Sequence, residues 1–373
     1  MKDSEIPYHS STSVFKPLGS SAEVVRPIGK LRALSEIRRA VRDFRTEHSA
    51  ARRVLEYSGE FGAESQEMWM RSTIPGIGTW SRGQCIGSGS GGSTFVCLME
   101  EKENLGKCAV KQISFDGLVF DDLPSQMRAE VEALGICNHP QIVSFIGAEV
   151  SLNYLYIFMD LVEGESLANK IKREGRLKER ECIKIAADIL DALSFVHSRG
   201  VIHRDLKAGN VIIQKNGQSI LCDFGACAIS EPVMSSLHPI GDTAVIPEKI
   251  PCEFTKTDFY FNGVKGTPNW CAPEVLAGTS YGLNADVWSL GCLVVEIATG
   301  QIPWREFDNQ LAAMYAILQS DKTPMDFIEK KLLSSWSSLM RNYLKCCLIR
   351  DPVARWSANR LLKHPWIYLP ITN

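Results

Sequence analysis

The sequence predicts an α+β fold in two lobes, a small β-rich lobe followed by a large helical one. Three observations predict it. From Trp80 onward the chain first shows short β-branched and aromatic runs at 94–98, 107–113, 141–146 and 155–161, interrupted by one helical stretch at about 124–137. Helical periodicity then takes over, at 179–198, 283–299, 310–320 and 334–347. Strands first and helices afterwards suit two segregated lobes, not alternating βαβ units. Third, about fifty residues between Asp223 and Glu274 carry little periodicity. A loop of that length inside a compact domain is usually functional or disordered. No internal repeat is visible.

Ahead of the strands, residues 1–29 are rich in Ser, Pro and small polar groups and read as a disordered lead-in. Residues 30–57 differ. Leu34, Ile37, Val41, Phe44, His48, Ala51 and Leu55 recur at spacings of three and four, one face of a helix whose remainder is rich in arginine. Three uses of this helix stay open: packing on the neighbouring domain, docking a partner protein, or lying on a membrane surface. Residues 58–79 contain Gly and Pro and read as a linker. The expected division is therefore an N-terminal extension at 1–79, a main domain at 80–366 and a short tail at 367–373.

Bulk properties narrow the class. Hydrophobic residues make up 45% of 373, enough for a full core. The net charge of -2 gives no basic bias, so nucleic acid is not the expected partner. No run reaches the ~20 apolar residues of a membrane span. The twelve cysteines are scattered, without CxxC spacing, and no signal peptide precedes them. They read as reduced, buried thiols of a cytoplasmic protein.

The chemistry lies in an ordered set of motifs. Gly87-Ser88-Gly89-Ser90-Gly91-Gly92 contains G-x-G-x-x-G. Glycines let a backbone approach phosphate oxygens, although a Gly–Ser run by itself is equally a flexible linker. A strand pattern follows it at 94–98, where a dinucleotide fold needs a helix. Lys111 sits in the apolar run Cys108-Ala109-Val110-Lys111. It is either a surface lysine on an edge strand or a buried cation that needs an anion. Glu130, nineteen residues on in the helical stretch, fits as a carboxylate partner. The deciding run is His203-Arg204-Asp205-Leu206-Lys207-Ala208-Gly209-Asn210, followed thirteen residues after Asn210 by Asp223-Phe224-Gly225 and later by Ala272-Pro273-Glu274. One carboxylate to orient a hydroxyl proton, plus an amide and a second carboxylate to hold Mg²⁺, is what phosphoryl transfer asks of a protein. Asp205, Asn210 and Asp223 supply that set, with Lys207 to balance developing charge.

With these motifs in this order, the chain resembles the eukaryotic protein kinases of the serine/threonine type over residues 80–366. The resemblance implies a bilobal kinase fold that uses ATP and Mg²⁺. It implies that Gly87, Gly89 and Gly92 cover the phosphates and that Lys111 pairs with them and with Glu130. Asp205 becomes the catalytic base, with Lys207 beside it, and Asn210 and Asp223 become the metal ligands. Ile86, Thr94, Ala109, Asp160 and Val162 fall where the nucleotide is bound, and Met159 falls at the gatekeeper position. Asp286 resembles the buried aspartate that anchors the catalytic loop, and Arg355 the arginine that pairs with Glu274.

Trp80-Ser81-Arg82-Gly83-Gln84-Cys85-Ile86-Gly87, His139-Pro140-Gln141-Ile142-Val143 and the run from Gly266 to Glu274 resemble mitogen-activated protein kinase kinase kinases, within the sterile-kinase group. The substrate class this implies is another protein kinase, with an upstream kinase or regulator acting through the activation segment or through residues 30–57. A catalytically silent scaffold, another sterile-group kinase and a small-molecule kinase are the competing readings.

Four departures stand out. Gly91 replaces the aromatic usual at the glycine-loop tip, Thr94 replaces a valine, and Trp356 replaces a proline after Arg355. The activation segment also carries an insertion at about 232–262. By resemblance, Arg204 pairs with a phosphate on that segment, for which Thr255 and Thr257 are the first candidates and Ser235, Ser236 and Thr243 the next. Thr267 is expected to bond Asp205 and Lys207 instead, and Cys222 to be buried and inert.

Overall fold

The structure is a computed structural model that describes residues 69–368 apart from 73, 75–76, 90, 101–104, 116–122, 152, 231–232, 234–260, 262–264 and 308. The lead-in, the helix expected at 30–57 and most of the insertion, including Thr255 and Thr257, lie outside the described residues.

The small lobe is one antiparallel sheet of six strands in the order β1-β2-β3-β4-β6-β5. These are β1 (Trp69–Arg71), β2 (Thr79–Gly89), β3 (Gly92–Glu100), β4 (Leu105–Ser114), β5 (Phe145–Ser151) and β6 (Tyr154–Met159). Period-two alternation sorts β4 onto two faces. Cys108 and Val110 join Trp80, Cys97, Tyr156 and Phe158 in a cluster on the outer face, closed by Ile74 and Ile77. Ala109 and Lys111 fall on the other face. Helix α1 (Ser125–Ile136) lies in the connection between β4 and β5.

The large lobe begins at β7 (Gly164–Ser166), α2 (Leu167–Glu174) and α3 (Glu179–Ser198). Two short pairings follow: β8 (Val201–Ile202) with β11 (Ala228–Ile229), and β9 (Val211–Gln214) with β10 (Ser219–Leu221). Then come α4 (Pro273–Leu276), α5 (Asn284–Thr299), α6 (Gln310–Gln319), α7 (Lys330–Ser335), α8 (Ser338–Cys347) and α9 (Ala358–Leu361). Helix α5 is the axis of this lobe, because residues 285–298 are all buried. A helix apolar on every side belongs in the interior. No helix among the described residues is long and apolar enough to cross a membrane.

Three expectations need correction. The segment read as a linker at 58–79 contributes β1, which pairs with β2, and the buried side chains Ile74 and Ile77. The run 141–146 is not one strand. Its first residues spend their backbone groups on the large lobe, with Leu221 N–H donating to Gln141 O at 2.8 Å and Val143 N–H donating to Leu221 O at 3.0 Å. β5 starts only at Phe145. The stretch 334–347 is split, because Ser337 Oγ accepts from Met340 N at 3.0 Å and starts α8 afresh. Most of the cysteines are buried and all of those described are free thiols.

Candidate active site

The glycine motif is the β2–β3 hairpin, with Gly89 opposite Gly92 and Gly87 opposite Thr94. Thr94 is in turn opposite Lys111, and Ala109 opposite Met159. Cross-strand partners share a face, so Gly87, Thr94, Lys111, Ala109 and Met159 line one surface. Gly92 takes φ +111°, and a Cβ there would lie 2.5 Å from Gln112 O. Only glycine fits this turn. At Gly87 and Gly89 a Cβ would meet nothing within 4 Å, so the backbone here borders open space. Ile86 is exposed and Met159 is buried. Asp160 N–H donates to Ser144 O at 2.9 Å, which fixes the crossing between lobes beside Val162.

Lys111 has found its anions. Its Nζ donates to Glu130 Oε1 at 2.6 Å and to Asp223 Oδ1 at 2.8 Å. Burial disfavours the lysine cation, but the two carboxylates outweigh it and hold its pKa above the usual value. Burial likewise pushes the Asp223 carboxyl up, yet the charge and hydrogen bond of Lys111, with Gly225 N–H, bring it below the usual range. The Lys111 side chain is only 7% exposed, whereas that of Asp223 is 46% exposed and open on one side. The surface reading of Lys111 is thereby excluded.

Asp205 is ringed by three groups. Lys207 Nζ donates to its Oδ2 at 2.7 Å, Asn210 Nδ2 to its Oδ2 at 3.0 Å, and Thr267 Oγ1 to its Oδ1 at 2.7 Å. Lys207 also reaches Thr267 Oγ1 at 2.6 Å, so Thr267 bonds both residues as the sequence predicts. Asn210 commits its amide nitrogen again to Asp205 O at 2.8 Å. Its side-chain oxygen is then the atom with ligating capacity. Gly266, at φ +97°, lets the segment pass so close that a Cβ would lie 2.2 Å from Arg204 O.

The loop carrying Asp205 is anchored from α5. Asp286 Oδ2 accepts from His203 N at 2.9 Å, and its Oδ1 from Arg204 N at 2.8 Å. His197 Nε2 lies 2.8 Å from Asp286 Oδ2. Burial pushes the Asp286 carboxyl up, but the hydrogen bond and charge of His197, with His203, outweigh burial and lower its pKa. Phe224 is fully buried, edge-on to His203 at 5.0 Å. Cys222 is pushed up to about 12 by burial and is a poor nucleophile.

Of the site residues expected from the sequence, Lys111, Glu130 and Asp223 come together in one cluster and Asp205, Lys207 and Asn210 in a second, while Gly87, Thr94 and Ala109 share the sheet face of Lys111. The residues that sequence reading missed support these clusters from behind. They are Glu296, which accepts from Trp270 Nε1 at 2.9 Å and Ala208 N at 3.4 Å, together with His197, Gln126 and Tyr281. Of these, only Gln126 had a signal, one helical turn before Glu130.

A phosphorylated nucleotide with its divalent ion fits this donor set. Asn210 and Asp223 would offer two side-chain oxygens, a number suited to Mg²⁺ shared with phosphates. Among the described residues no group of three or more His, Cys, Asp or Glu forms a metal cage. A Cβ at Gly91 would lie 3.4 Å from Lys111 Nζ, so the loop tip closely approaches the Lys111 cation.

Residues 80–367 match the protein kinase domain model. The chain belongs to the protein kinase family. It is similar to mitogen-activated protein kinase kinase kinase A of Dictyostelium discoideum, 32% identical over 77% of the chain and 28% of the relative. The MAP kinase kinase kinase wis4 of Schizosaccharomyces pombe is 34% identical over 77% of the chain and 19% of its own length. A mitogen-activated protein kinase kinase kinase 3 of Arabidopsis thaliana is 30% identical over 78% of the chain and 43% of its own. The chain thus matches less than half the length of each of these relatives.

Proposed function

We propose that the chain transfers the γ-phosphate of MgATP to a serine or threonine hydroxyl of a protein substrate, itself a kinase in a mitogen-activated cascade. The observation that carries this reading is Asp205, held among Lys207, Asn210 and Thr267, together with the buried triplet of Lys111, Glu130 and Asp223. The kinase kinase kinase names of three relatives support the substrate class. Catalytic activity, cytoplasmic location and regulation through 30–57 belong to the same proposal.

The residues have separable tasks. Asp205 orients the incoming hydroxyl and takes its proton. Lys207, already on Asp205 and Thr267, offsets the charge that develops there. Thr267 fixes the carboxylate rotamer of Asp205 from the segment that faces substrate. Lys111, aligned by Glu130, would meet the phosphates beneath the hairpin of Gly87, Gly89 and Gly92. Asn210 and Asp223 would hold Mg²⁺, and Ile86, Thr94, Ala109, Asp160 and Val162 would border the nucleoside. When bound, MgATP supplies the phosphoryl group and the charge neutralisation that transfer needs.

The test is transfer of labelled phosphate from ATP by the full chain and by Asp205→Asn. The acceptors are generic basic proteins and catalytically dead cascade kinases. Label on the cascade kinases that falls about 10³-fold in the variant is the expected result, given the usual contribution of a general base. Equal labelling by variant and wild type would sink the assignment of Asp205. Label confined to basic proteins would refute the cascade substrate.

A further inference from the structure

Among the described residues, the guanidinium of Arg204, next to Asp205, donates to four neutral acceptors. Its Nε donates to Ala226 O at 2.5 Å, and its Nη1 to Tyr281 Oη at 3.2 Å. Its Nη2 donates to Gln126 Oε1 at 3.1 Å and to Cys227 O at 2.8 Å. A guanidinium has five N–H donors in a planar fork, and four acceptors here take up that fork from three directions. Ala226 and Cys227 come from the segment after Gly225, Tyr281 from the turn before α5, and Gln126 from the first turn of α1.

Gln126 uses both ends of its amide. While Oε1 accepts from Arg204, Nε2 donates to Cys227 O at 2.9 Å. A flipped amide would set its NH₂ against the cation and its oxygen against a carbonyl, so the surroundings define one orientation. Gln126 and Glu130 are four residues apart, hence one turn apart on the same face of α1. Between them, Cys227 Sγ donates to Ala129 O at 3.5 Å. The stretch of α1 that presents Glu130 to Lys111 is thus fastened at its lower end to the catalytic loop and to the segment after Gly225.

Tyr281 extends the fastening. Its N–H donates to Phe261 O at 3.0 Å and its carbonyl accepts from Phe261 N at 2.8 Å. Phe261 belongs to the end of the insertion. One arginine thus joins α1, the catalytic loop and both ends of the long segment.

We propose that Gln126 is a positioning residue of the kinase: by bridging Arg204 and Cys227 O it holds α1 in the rotation that places Glu130 on Lys111. The alignment is set by neutral hydrogen bonds to Arg204. This rests on the kinase reading above and adds a residue to it.

The test compares the full chain with Gln126→Leu and Gln126→Glu. Leucine keeps the volume and removes both hydrogen bonds. Glutamate restores an acceptor for Arg204 and makes it ionic. The expectation for Q126L is a kcat lowered about tenfold, a loss of about 1.4 kcal/mol. Its KM for ATP changes less than threefold, and amide exchange speeds up across 125–136 while that of 284–299 stays as in wild type. Q126E, which keeps the bond to Arg204 and loses the one to Cys227 O, is expected to have a kcat between those of Q126L and wild type.

Unchanged exchange in 125–136 for Q126L would overturn the proposal, and so would wild-type kcat in that variant. If wild type moves no phosphate at all, the function reading fails, and the exchange comparison still decides whether Gln126 holds α1.

Discussion

At the scale of single residues, Glu296 shows how burial and function meet. It is a carboxylate on the buried helix α5, 6% exposed, joined to Trp270 of the substrate-facing segment and to Ala208 of the catalytic loop. Burial raises its pKa to about 7, against the lowering effects of the Trp270 and Ala208 hydrogen bonds and the charge of Lys207. A carboxyl raised on folding favours the folded state while protonated. Its ionisation therefore removes stability as pH climbs from the unfolded value near 4.5 to the folded value near 7. The size is on the order of 3 kcal/mol at most, at 1.36 kcal/mol per unit. Glu296→Gln keeps an oxygen for Trp270 and cannot ionise. Melting curves from pH 5.5 to 8.5 should show the Gln variant gaining on wild type as pH rises, with the gain levelling off above pH 8. A difference independent of pH would show that Glu296 does not titrate in this window.

Such residues are poorly legible in a sequence, because their value is a position in space. Asp205, Asn210 and Asp223 are read from local spacing, and Lys111 with Glu130 from a strand followed by a helix. Glu296 is one acid in an apolar helix, and Tyr281 one aromatic after α4. Nothing in either run reveals a partner 88 or 77 residues away.

At the scale of elements, the outer face of the small lobe depends on a strap that composition disguises. The stretch between β1 and β2 carries Ile74 and Ile77 over Trp80, which stands edge-on to Tyr156 at 5.3 Å and to Phe158 at 5.0 Å. Ser72 Oγ ties the strap to Glu149 Oε2 at 2.7 Å. A three-residue strand flanked by Pro and Gly has too few alternations to register as a strand, so the sequence reads as linker. Gly147 on β5 is where the strap comes closest. A Cβ there would lie 2.8 Å from Ile74 Cγ2 and 3.0 Å from Ile74 Cδ1. Gly147→Ala should destabilise by about 1–3 kcal/mol, as overpacking does. In an Ile74→Ala background the same change should cost markedly less, because the obstructing atoms are gone. A double-mutant cycle by thermal melting gives the coupling. Additive costs would mean that Gly147 is needed for its backbone and not for the contact with Ile74.

At the scale of the whole molecule, the fold class was open to sequence reading, since strand-rich and helix-rich regions follow one another along the chain. What fastens distant parts of the large lobe is visible only in three dimensions. Arg355 is 2% exposed and donates to Glu274 twice, at 2.6 Å and 3.0 Å. It also donates to the carbonyls of Ile349 at 2.8 Å, Asn284 at 3.0 Å and Arg350 at 3.3 Å. The family resemblance gives the pairing with Glu274 but not the three carbonyls, and these decide the energetics. Replacing a buried ion pair by apolar residues is often neutral, whereas removing one partner costs about 3–5 kcal/mol. Here the guanidinium also satisfies backbone oxygens that no apolar side chain can reach. Glu274→Gln should therefore destabilise by about 3 kcal/mol. The double change Glu274→Leu with Arg355→Met should fail to recover that loss, because it leaves buried carbonyls unpaired. Melting midpoints of the two variants against wild type provide the check. A double variant as stable as wild type would show that Arg355 matters only as the partner of Glu274. The expected persistent loss would show that one arginine, 81 residues from Glu274, holds the end of the substrate-facing segment to the rest of the helical lobe.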